Sequence, residues 1–412
     1  MLSHPAPRPA RGSVADGYQP IADAFAAQLL DGSEVGAALS VYRHGEQVVD
    51  LHGGLADVAT ARRWERDTRI VVFSVTKGFA AMALHLLADR GRLEWDAPVA
   101  TYWPRFAVAG KERMTVRQLV NHVGGLPYLD APITLAQCTR DTDRELVERA
   151  ITAQRPAWTP GSAQGYHALT FGLYVRALFE HIAKEPLGEV LRRELFVPLG
   201  SDARLGTPAS EDARIATLYP PEVGERVAGM ARAVVTQPRG TEANVLRGLL
   251  ERASISRRAF LSPRPGTGGL SEYNRPPARR AALAWASATA SADGVARSYL
   301  PFAGRGAHDG RTYLSESTLT PVYERQGWSE RDLVLGKPLG WSQGFLKEEA
   351  HVFSPTRESF GHAGMGGALG WADPVEGIAF GYVMNKMDWR VRSPRALALC
   401  RALYSCEPLR DT

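Results

Sequence analysis

A serine and a lysine three residues apart, Ser74 and Lys77, have the residue types and the spacing that nucleophilic catalysis requires. Residues three apart on a helix share a face, so the Lys77 amine would lie beside the Ser74 hydroxyl. Ser74 would lie in the first turn, where unpaired backbone N–H groups and the positive end of the helix dipole favour a developing anion. A lysine that is partly buried loses its proton more easily and can then act as a base. The pair therefore predicts a serine activated for acyl transfer.

The same two residues also fit a simpler interpretation, in which Ser74 is an N-cap serine and Lys77 is a solvated lysine. Three later segments favour catalysis. The segment "TVRQLVNHVGGLP" follows the pair, Tyr166 lies in a glycine-flanked turn before a predicted helix, and His362 is followed by the small residues of "AGMGG". Small residues allow a substrate to approach the backbone of a strand closely.

Another serine, Ser342, lies in the segment "GWSQG", which has the Gly-x-Ser-x-Gly pattern of a nucleophile elbow. Such an elbow requires a strand, a sharp turn and then a helix. The residues after Ser342 predict a strand, a turn and another strand instead. We therefore do not expect Ser342, or the glycine pair after His52, to be catalytic.

The ordered motifs resemble the serine β-lactamase-like superfamily and are most similar to the family VIII carboxylesterases, which are related to class C β-lactamases. Ser74 and Lys77 match the Ser-x-x-Lys motif. Tyr166 matches the tyrosine of the Tyr-x-Asn motif, and His362-Ala363-Gly364 takes the place of Lys-Thr-Gly. The resemblance implies an α/β (α+β) fold, with an antiparallel sheet flanked by helices and an active site at the junction with a helical domain.

The resemblance also implies a mechanism through an acyl-enzyme on Ser74. Lys77 and Tyr166 would share the proton transfers, and which of them is the base stays open because coupled groups titrate together. A tyrosine is a poor base near neutral pH unless a neighbouring ammonium lowers its pKa. The backbone N–H groups of Ser74 and Met365 would form the oxyanion hole. Residues expected to contact the substrate are Tyr128, His167, His362 and Gly364, and for His167 and His362 a packing role is an equal alternative.

Departures from the β-lactamase motifs favour an uncharged substrate. The segment Tyr166-His167-Ala168 lacks the asparagine of the motif, and His362, which is mostly neutral at pH 7, replaces a lysine that would bind a carboxylate. A small or short-acyl ester is therefore the expected substrate. Three alternatives remain: an acyltransferase using the same acyl-enzyme, a weak β-lactamase or D-amino-peptidase, and a non-catalytic scaffold.

Hydrophobic patterns suggest how the chain is divided. A helix is predicted from Tyr18, hairpins are predicted at His44-Gly45-Glu46 and at 373–377, and "RALALCRALY" predicts a closing helix. The expected division is a loose N-terminal arm over 1–17, an α/β domain from 18–90 and 335–412, and an inserted, mainly helical domain over 91–334. A loop-rich segment is expected at 199–282.

Composition excludes several classes of function. The 412 residues carry a net charge of +5 without a basic cluster, which argues against a nucleic-acid partner. No apolar run reaches the ~18 residues of a membrane span. The three cysteines have no disulfide or zinc spacing, and no ligand motif predicts a metal or other cofactor. The first residues lack a signal-peptide core, so a cytoplasmic location is expected. The oligomeric state is left open.

Overall fold

A large antiparallel sheet joins both ends of the chain in the computed structural model, which describes residues 9–347 and 353–410. Within these residues ten strands pair in the order β1-β3-β2-β14-β13-β12-β11-β10-β9, with β4 on β3. The strands are β1 Arg11–Val14, β2 Gly36–Arg43, β3 Glu46–Asp57, β4 Arg62–Arg63, β5 Ile70–Val71, β6 Thr289–Ala290, β7 Ala307–His308, β8 Arg311–Thr312, β9 Gly327–Ser329, β10 Leu339–Ser342, β11 Phe345–Leu346, β12 Phe360–Ala363, β13 Leu369–Asp373 and β14 Ile378–Met384. The predicted antiparallel sheet is confirmed.

Helices cover both faces of this sheet. They are α1 Gln19–Leu30, α2 Val75–Asp89, α3 Val99–Tyr102, α4 Val116–Val120, α5 Leu135–Cys138, α6 Arg144–Ala153, α7 Thr170–Ala183, α8 Leu187–Leu191, α9 Val223–Thr236, α10 Thr241–Leu250, α11 Ile255–Phe260, α12 Pro276–Arg280, α13 Ala292–Ala303, α14 Glu316–Tyr323 and α15 Pro394–Tyr404. Two neighbouring residues of β13 lie on opposite faces of the sheet, because side chains alternate along a strand. Gly370 lies against Tyr299 of α13, whereas Trp371 stacks on Tyr404 of α15.

Both predicted hairpins and the closing helix are confirmed. His44 and Gly45 connect β2 to β3 with φ angles of 51° and 86°. The second turn connects β13 to β14, and Gly377 adopts a φ of 63° there. The first and last long strands, β2 and β14, then pair along seven residues of β14 from Ile378 to Met384. This pairing joins strands from the two ends of the chain into one sheet.

Helix α2, which follows Ser74, is buried on all sides. Its residues 75–87 are all buried. The helix packs on β12 and β13 on one side and on α7 on the other. A helix between two layers has no solvent face, and its polar side chains must then be bonded internally. Lys77 is such a side chain.

Three expectations about the division of the chain differ from the structure. The prediction of a loose arm over 1–17 is wrong for Arg11–Val14, an edge strand paired with β3, whose exposed side chains leave no apolar pattern to detect. Residues 1–8 of the predicted arm lie outside the described residues. The segment 199–282 holds four helices, α9 to α12, and α9 has no buried residue, which weakens its pattern. Helix α13 and strand β9 fall within 91–334, yet both belong with the sheet.

Within residues 9–347 and 353–410, no helix is long and apolar enough to cross a bilayer. In that same part of the chain, no group of three or more histidine, cysteine or acidic side chains is placed to hold a metal ion. The cysteines Cys138, Cys400 and Cys406 are all free thiols.

A second buried lysine, Lys111, has a structural role and provides a stability prediction. Its Nζ donates to the carbonyl oxygens of Val108, Thr152 and Gln154, each at 2.8 Å. Lys111→Met would leave three carbonyls, of which that of Gln154 is buried, without this charged donor. We expect the free energy of unfolding to fall by about 3 kcal/mol. Urea denaturation of both proteins measures the loss, and an unchanged midpoint would show that water replaces the ammonium.

Candidate active site

Ser74 lies at the start of α2, and its hydroxyl is not used to cap the helix. The residue has a φ of −68° and a ψ of −6°, and its side chain makes no capping hydrogen bond. Instead the hydroxyl contacts two other side chains: the Nζ of Lys77 at 2.8 Å and the phenol oxygen of Tyr166 at 3.1 Å. The simpler interpretation, a capping serine beside a solvated lysine, is therefore wrong.

The backbone just before Ser74 is in an unusual conformation. Phe73 has a φ of 46°, in the left-handed region that costs a non-glycine residue about 1–3 kcal/mol. Its ring packs edge-on against Tyr273 at a centroid distance of 5.1 Å, which helps to hold it there. This residue makes the sharp change of direction between β5 and α2.

Lys77 is buried without a solvent contact, and this determines its protonation. Its exposed fraction is 0%, and Nζ also donates to the carbonyl oxygen of Trp285 at 3.1 Å. Burial disfavours the ammonium and lowers the pKa of Lys77 well below its usual range. The amine can therefore lie neutral beside the Ser74 hydroxyl, in the form that accepts a proton.

The pKa of Tyr166 is raised, whereas that of Lys77 is lowered. Burial raises its pKa to about 12, and the hydrogen bond to Ser74 and the positive charge of Arg392 offset this only in part. The lowered tyrosine pKa that a phenolate base would require is therefore absent. The Nζ of Lys77 lies 5.1 Å from the centroid of the tyrosine ring. At neutral pH the arrangement combines an amine that can take a proton with a phenol that can give one.

The ring of Tyr166 is held by aromatic neighbours that the sequence motifs did not reveal. The indole of Trp341 stacks on it with centroids 5.7 Å apart and an interplanar angle of 9°. The imidazole of His122 packs edge-on at 5.1 Å. Both residues are fully buried, so they fix the direction of the phenol. Trp341 lies inside the "GWSQG" segment, directly before Ser342.

The backbone of the Tyr166 segment is equally constrained. The N–H of Gly165 donates to the carbonyl oxygen of His122 at 3.1 Å, and the N–H of His167 donates to His122 Nδ1 at 3.0 Å. The N–H of Tyr166 donates to the carboxylate of Asp332 at 3.1 Å. Three successive amides thus have fixed acceptors.

His167, a predicted substrate residue, is buried and bonded to backbone. Its Nε2 accepts the N–H of Leu126 at 3.1 Å. Burial lowers its pKa to about 3, so the ring is neutral. His167 therefore connects the loop before Leu126 to the Tyr166 segment, and its exposed fraction of 0% leaves no surface for a substrate.

His362 and Gly364 lie on and just after β12, and neither is open to solvent. The ring of His362 is 2% exposed, lies 6.3 Å from that of Tyr166 and has Nδ1 2.9 Å from the carbonyl oxygen of Ala363. Burial lowers the pKa of His362 well below its usual range, so it carries no charge for a carboxylate. A side chain on Gly364 would meet the carbonyl oxygen of Val72 at 2.4 Å. The small residue is required by backbone packing, not by substrate access as expected.

A cavity of about 230 Å³ opens beside Ser74. Its walls are mostly apolar, and they include Leu135, Ala168, Leu169, Phe260, Leu270, Tyr273 and Met365. Met365 is 39% exposed, so the predicted oxyanion-hole residue lies at an accessible position. Tyr128, His167, His362 and Gly364 are not among the residues that line this cavity. Tyr128 instead stacks under the guanidinium of Arg258 at 3.4 Å.

The segment 199–282, which the sequence predicts to be loop-rich, supplies one side of this cavity. Phe260 of α11, Arg226 of α9 and the residues around Leu270 all line it. Their contribution was not predicted because it depends on how 199–282 folds back over the start of α2. Phe260 and Leu270 contribute to the apolar character of the lining, whereas Arg226 adds a positive charge.

Ser342 is confirmed as a structural serine. It ends β10, and its hydroxyl donates to the carbonyl oxygen of Pro321 at 3.2 Å. Gln343 and Gly344 then form a turn with φ angles of 45° and 88°, and strand β11 follows. The arrangement is strand, turn and strand, as predicted, and a nucleophile elbow is excluded.

Comparisons with known proteins identify the family of this chain. The family model described as Beta-lactamase matches residues 21–402. The protein named Esterase/beta-lactamase LipL of Mycobacterium tuberculosis is 33% identical over 399 residues, which cover 94% of this chain and 86% of LipL.

Solved structures extend the similarity to the fold. A family VIII carboxylesterase superimposes with a TM-score of 0.82 at 31% identity, covering 96% of this chain and 99% of that protein. A penicillin-binding protein homologue from Caulobacter crescentus gives the same TM-score, identity and coverage. The resemblance inferred from the Ser-x-x-Lys, tyrosine and histidine motifs is confirmed over nearly the whole chain.

Proposed function

Because this chain belongs to the beta-lactamase family, we propose that it is a serine carboxylesterase that cleaves small, uncharged esters through an acyl-enzyme on Ser74. Its relatives include LipL and a family VIII carboxylesterase, and the chain is a serine hydrolase of the esterase type. The observation that carries the proposal is the position of the Ser74 hydroxyl, within hydrogen-bond distance of both the Lys77 amine and the Tyr166 phenol.

In the first half of the reaction the neutral Lys77 amine takes the proton of Ser74 while Oγ attacks the ester carbonyl carbon. Negative charge then develops on the carbonyl oxygen. The backbone N–H groups of Ser74 and Met365 are the proposed donors to it, and one such donor is typically worth about 10²–10³ in rate. The Tyr166 phenol gives a proton to the departing alkoxide, which leaves as an alcohol.

In the second half water replaces the alcohol. The alcohol leaves the site, and Tyr166 regains its proton from the Lys77 ammonium through water. The neutral amine then accepts a proton from the attacking water and gives it to Ser74 Oγ as the acyl group departs as a carboxylic acid. Both buried groups return to their starting protonation states, so one pair of side chains serves both halves.

The lining of the cavity supports the choice of substrate. Aliphatic and aromatic walls favour an apolar acyl or alkyl group. At about 230 Å³ the cavity is smaller than the ~300–1,000 Å³ of sites for drug-sized ligands, which favours a short chain. His362, which takes the place of the lysine of the Lys-Thr-Gly motif, is neutral and does not line the cavity, so it supplies no positive charge to the carboxylate of a β-lactam.

The experiment that tests the proposal compares three substrates on the purified protein. We expect hydrolysis of p-nitrophenyl acetate and butyrate, with kcat/KM at least about 10²-fold above that for nitrocefin, because each lost charged contact costs about 1.5–3 kcal/mol. Product analysis with added methanol separates hydrolysis from acyl transfer. Nitrocefin turnover equal to that of the esters, or methyl ester as the main product, would contradict the proposal.

Tyr166→Phe removes only the phenol oxygen and tests how much this group contributes to kcat. We expect kcat for ethyl butyrate, whose alkoxide leaving group requires a proton, to fall about 10²-fold, the lower range for one acid–base group, because Lys77 remains in place. The matched control is Tyr174→Phe, which deletes an equally buried hydroxyl bonded to the carbonyl oxygen of Ile151. A fall of the same size in both variants would mean that packing, not proton transfer, is lost.

A further inference from the structure

Asp332 is a buried carboxylate that the mechanism above does not use. It lies in the turn between β9 and β10 and has an exposed fraction of 0%. Burying a carboxylate is costly unless its oxygens are well bonded, so such a group is expected to have a specific task. Burial raises the pKa of Asp332 to about 6. Backbone donors to one of its oxygens offset part of this cost.

One oxygen of Asp332 accepts three backbone N–H groups. Two come from its own turn: those of Val334 and Leu335, both at 2.9 Å. The third comes from Tyr166, at 3.1 Å, which is 166 residues earlier in the chain. A second bond joins the same two segments, because the N–H of Leu333 donates to the carbonyl oxygen of Gln164 at 3.0 Å.

The turn that carries Asp332 is itself fixed from its other side. Ser256 Oγ donates to the carbonyl oxygen of Val334 at 2.8 Å, and Asn244 Nδ2 donates to that of Gly336 at 3.0 Å. The turn is therefore a rigid support between the α10–α11 region and the Tyr166 segment. A shift of Asp332 would be transmitted to the backbone of the tyrosine.

We propose that Asp332 is a positioning residue, whose carboxylate holds the Tyr166 backbone so that the phenol stays in hydrogen-bond reach of Ser74. This inference rests on the proposed function, since it concerns how the proposed acid is held. It assigns Asp332 no contact with substrate. A displacement of about 1 Å in a catalytic group can cost about 10²-fold in rate, so one backbone bond is enough to matter.

The chain offers a matched control in Asp373. It is also 0% exposed, and one oxygen accepts the N–H groups of the residues two and three positions later, Val375 and Glu376, at 3.0 and 3.3 Å. Its other oxygen accepts the hydroxyls of Ser354 and Tyr404 instead of a bond from the Tyr166 segment. Each aspartate bonds the backbone of its own turn in the same way, but only Asp332 also bonds the Tyr166 segment.

The experiment measures kcat and KM of Asp332→Ser, Asp332→Asn, Asp373→Ser and Asp373→Asn on ethyl butyrate, whose alkoxide leaving group requires a proton, with Ser74→Ala alongside. Serine can still bond its own turn but is too short to reach Tyr166, whereas asparagine keeps an uncharged acceptor. We expect kcat to fall about 10²-fold in Asp332→Ser and about 3- to 10-fold in Asp332→Asn, with KM within about threefold. Both Asp373 variants should keep kcat within about twofold.

A kcat for the Asp332 variants equal to that of the Asp373 variants would overturn the proposal, as would an Asp332→Asn no better than Asp332→Ser. Where circular dichroism shows that Asp332→Ser does not fold, the comparison of Asp332→Asn with Asp373→Asn decides by the same criterion. Turnover retained by Ser74→Ala would instead contradict the proposed function itself, so the two failures are distinguishable.

Discussion

Ser74→Ala is expected to lower kcat/KM for p-nitrophenyl butyrate by at least about 10⁴-fold, because the covalent route is lost when the attacking oxygen is removed. Residual turnover would come only from binding and backbone donors. The substitution removes one oxygen at a site that makes no helix cap, so the free energy of unfolding should change little. Initial rates and a urea titration on the same preparation measure both quantities.

The control for Ser74→Ala is Ser342→Ala. Ser342 is the serine with the more familiar Gly-x-Ser-x-Gly pattern, and its hydroxyl bonds a backbone carbonyl in the interior. We expect its alanine variant to keep turnover within about threefold and to lose about 1 kcal/mol of stability. The reverse result, with Ser342→Ala inactive and Ser74→Ala active, would refute the assignment of the nucleophile.

Lys77→Met is the second large effect, and it should separate activity from stability. Loss of the base is expected to reduce kcat about 10³–10⁴-fold. Methionine fills a similar volume without a charge to desolvate, so the unfolding midpoint should be equal to or higher than that of the wild type. Since the Trp285 carbonyl loses a donor, we expect the gain to stay below about 2 kcal/mol.

Lys111→Met is the control for Lys77→Met, because both lysines are 0% exposed but only Lys77 has a proposed catalytic role. Its variant should lose stability and keep the turnover of each folded molecule within about threefold, since one ammonium with three carbonyl acceptors holds loops together. If Lys77→Met is destabilised to the same extent while its folded fraction stays active, Lys77 is a structural lysine and the account of the base fails.

Burial of Lys77 also gives a pH dependence. Its pKa in the folded protein is lowered, so the neutral, active form is lost as pH falls through that lowered value. At pH values around the ordinary lysine pKa of ~10.4 the amine is already neutral, and no further gain in rate is expected there. The same shift means that folding is favoured by rising pH between the lowered and the ordinary values, because the unfolded chain binds the extra proton.

The motifs close together in the chain were predictable from the sequence. The Ser74–Lys77 pair is set by helix geometry, and the hairpins at His44 and after Asp373 are set by turn residues between apolar runs. The resemblance placed Tyr166 in the same site, although 89 residues separate it from Lys77. These features depend on local patterns or on a recognised order of motifs.

What the sequence could not provide depends on contacts between distant segments. The pKa of Lys77 follows from a helix buried between two layers, which no local pattern around Lys77 indicates. The support of Tyr166 comes from Trp341 and Asp332, neither of which belongs to a catalytic motif. His167 and Gly364 were assigned to substrate contact, but their burial and backbone packing come from the fold.

The most direct test of the central claim is the rate at which a fluorophosphonate probe labels the protein as pH rises, with the labelled peptide identified by mass spectrometry. The account predicts a single labelled serine, Ser74, and a rate that reaches its plateau well below pH ~10.4, since the lysine beside it is already neutral there. Label on a different serine, or a rate that keeps rising through that pH, would contradict the claim that a buried amine activates this hydroxyl.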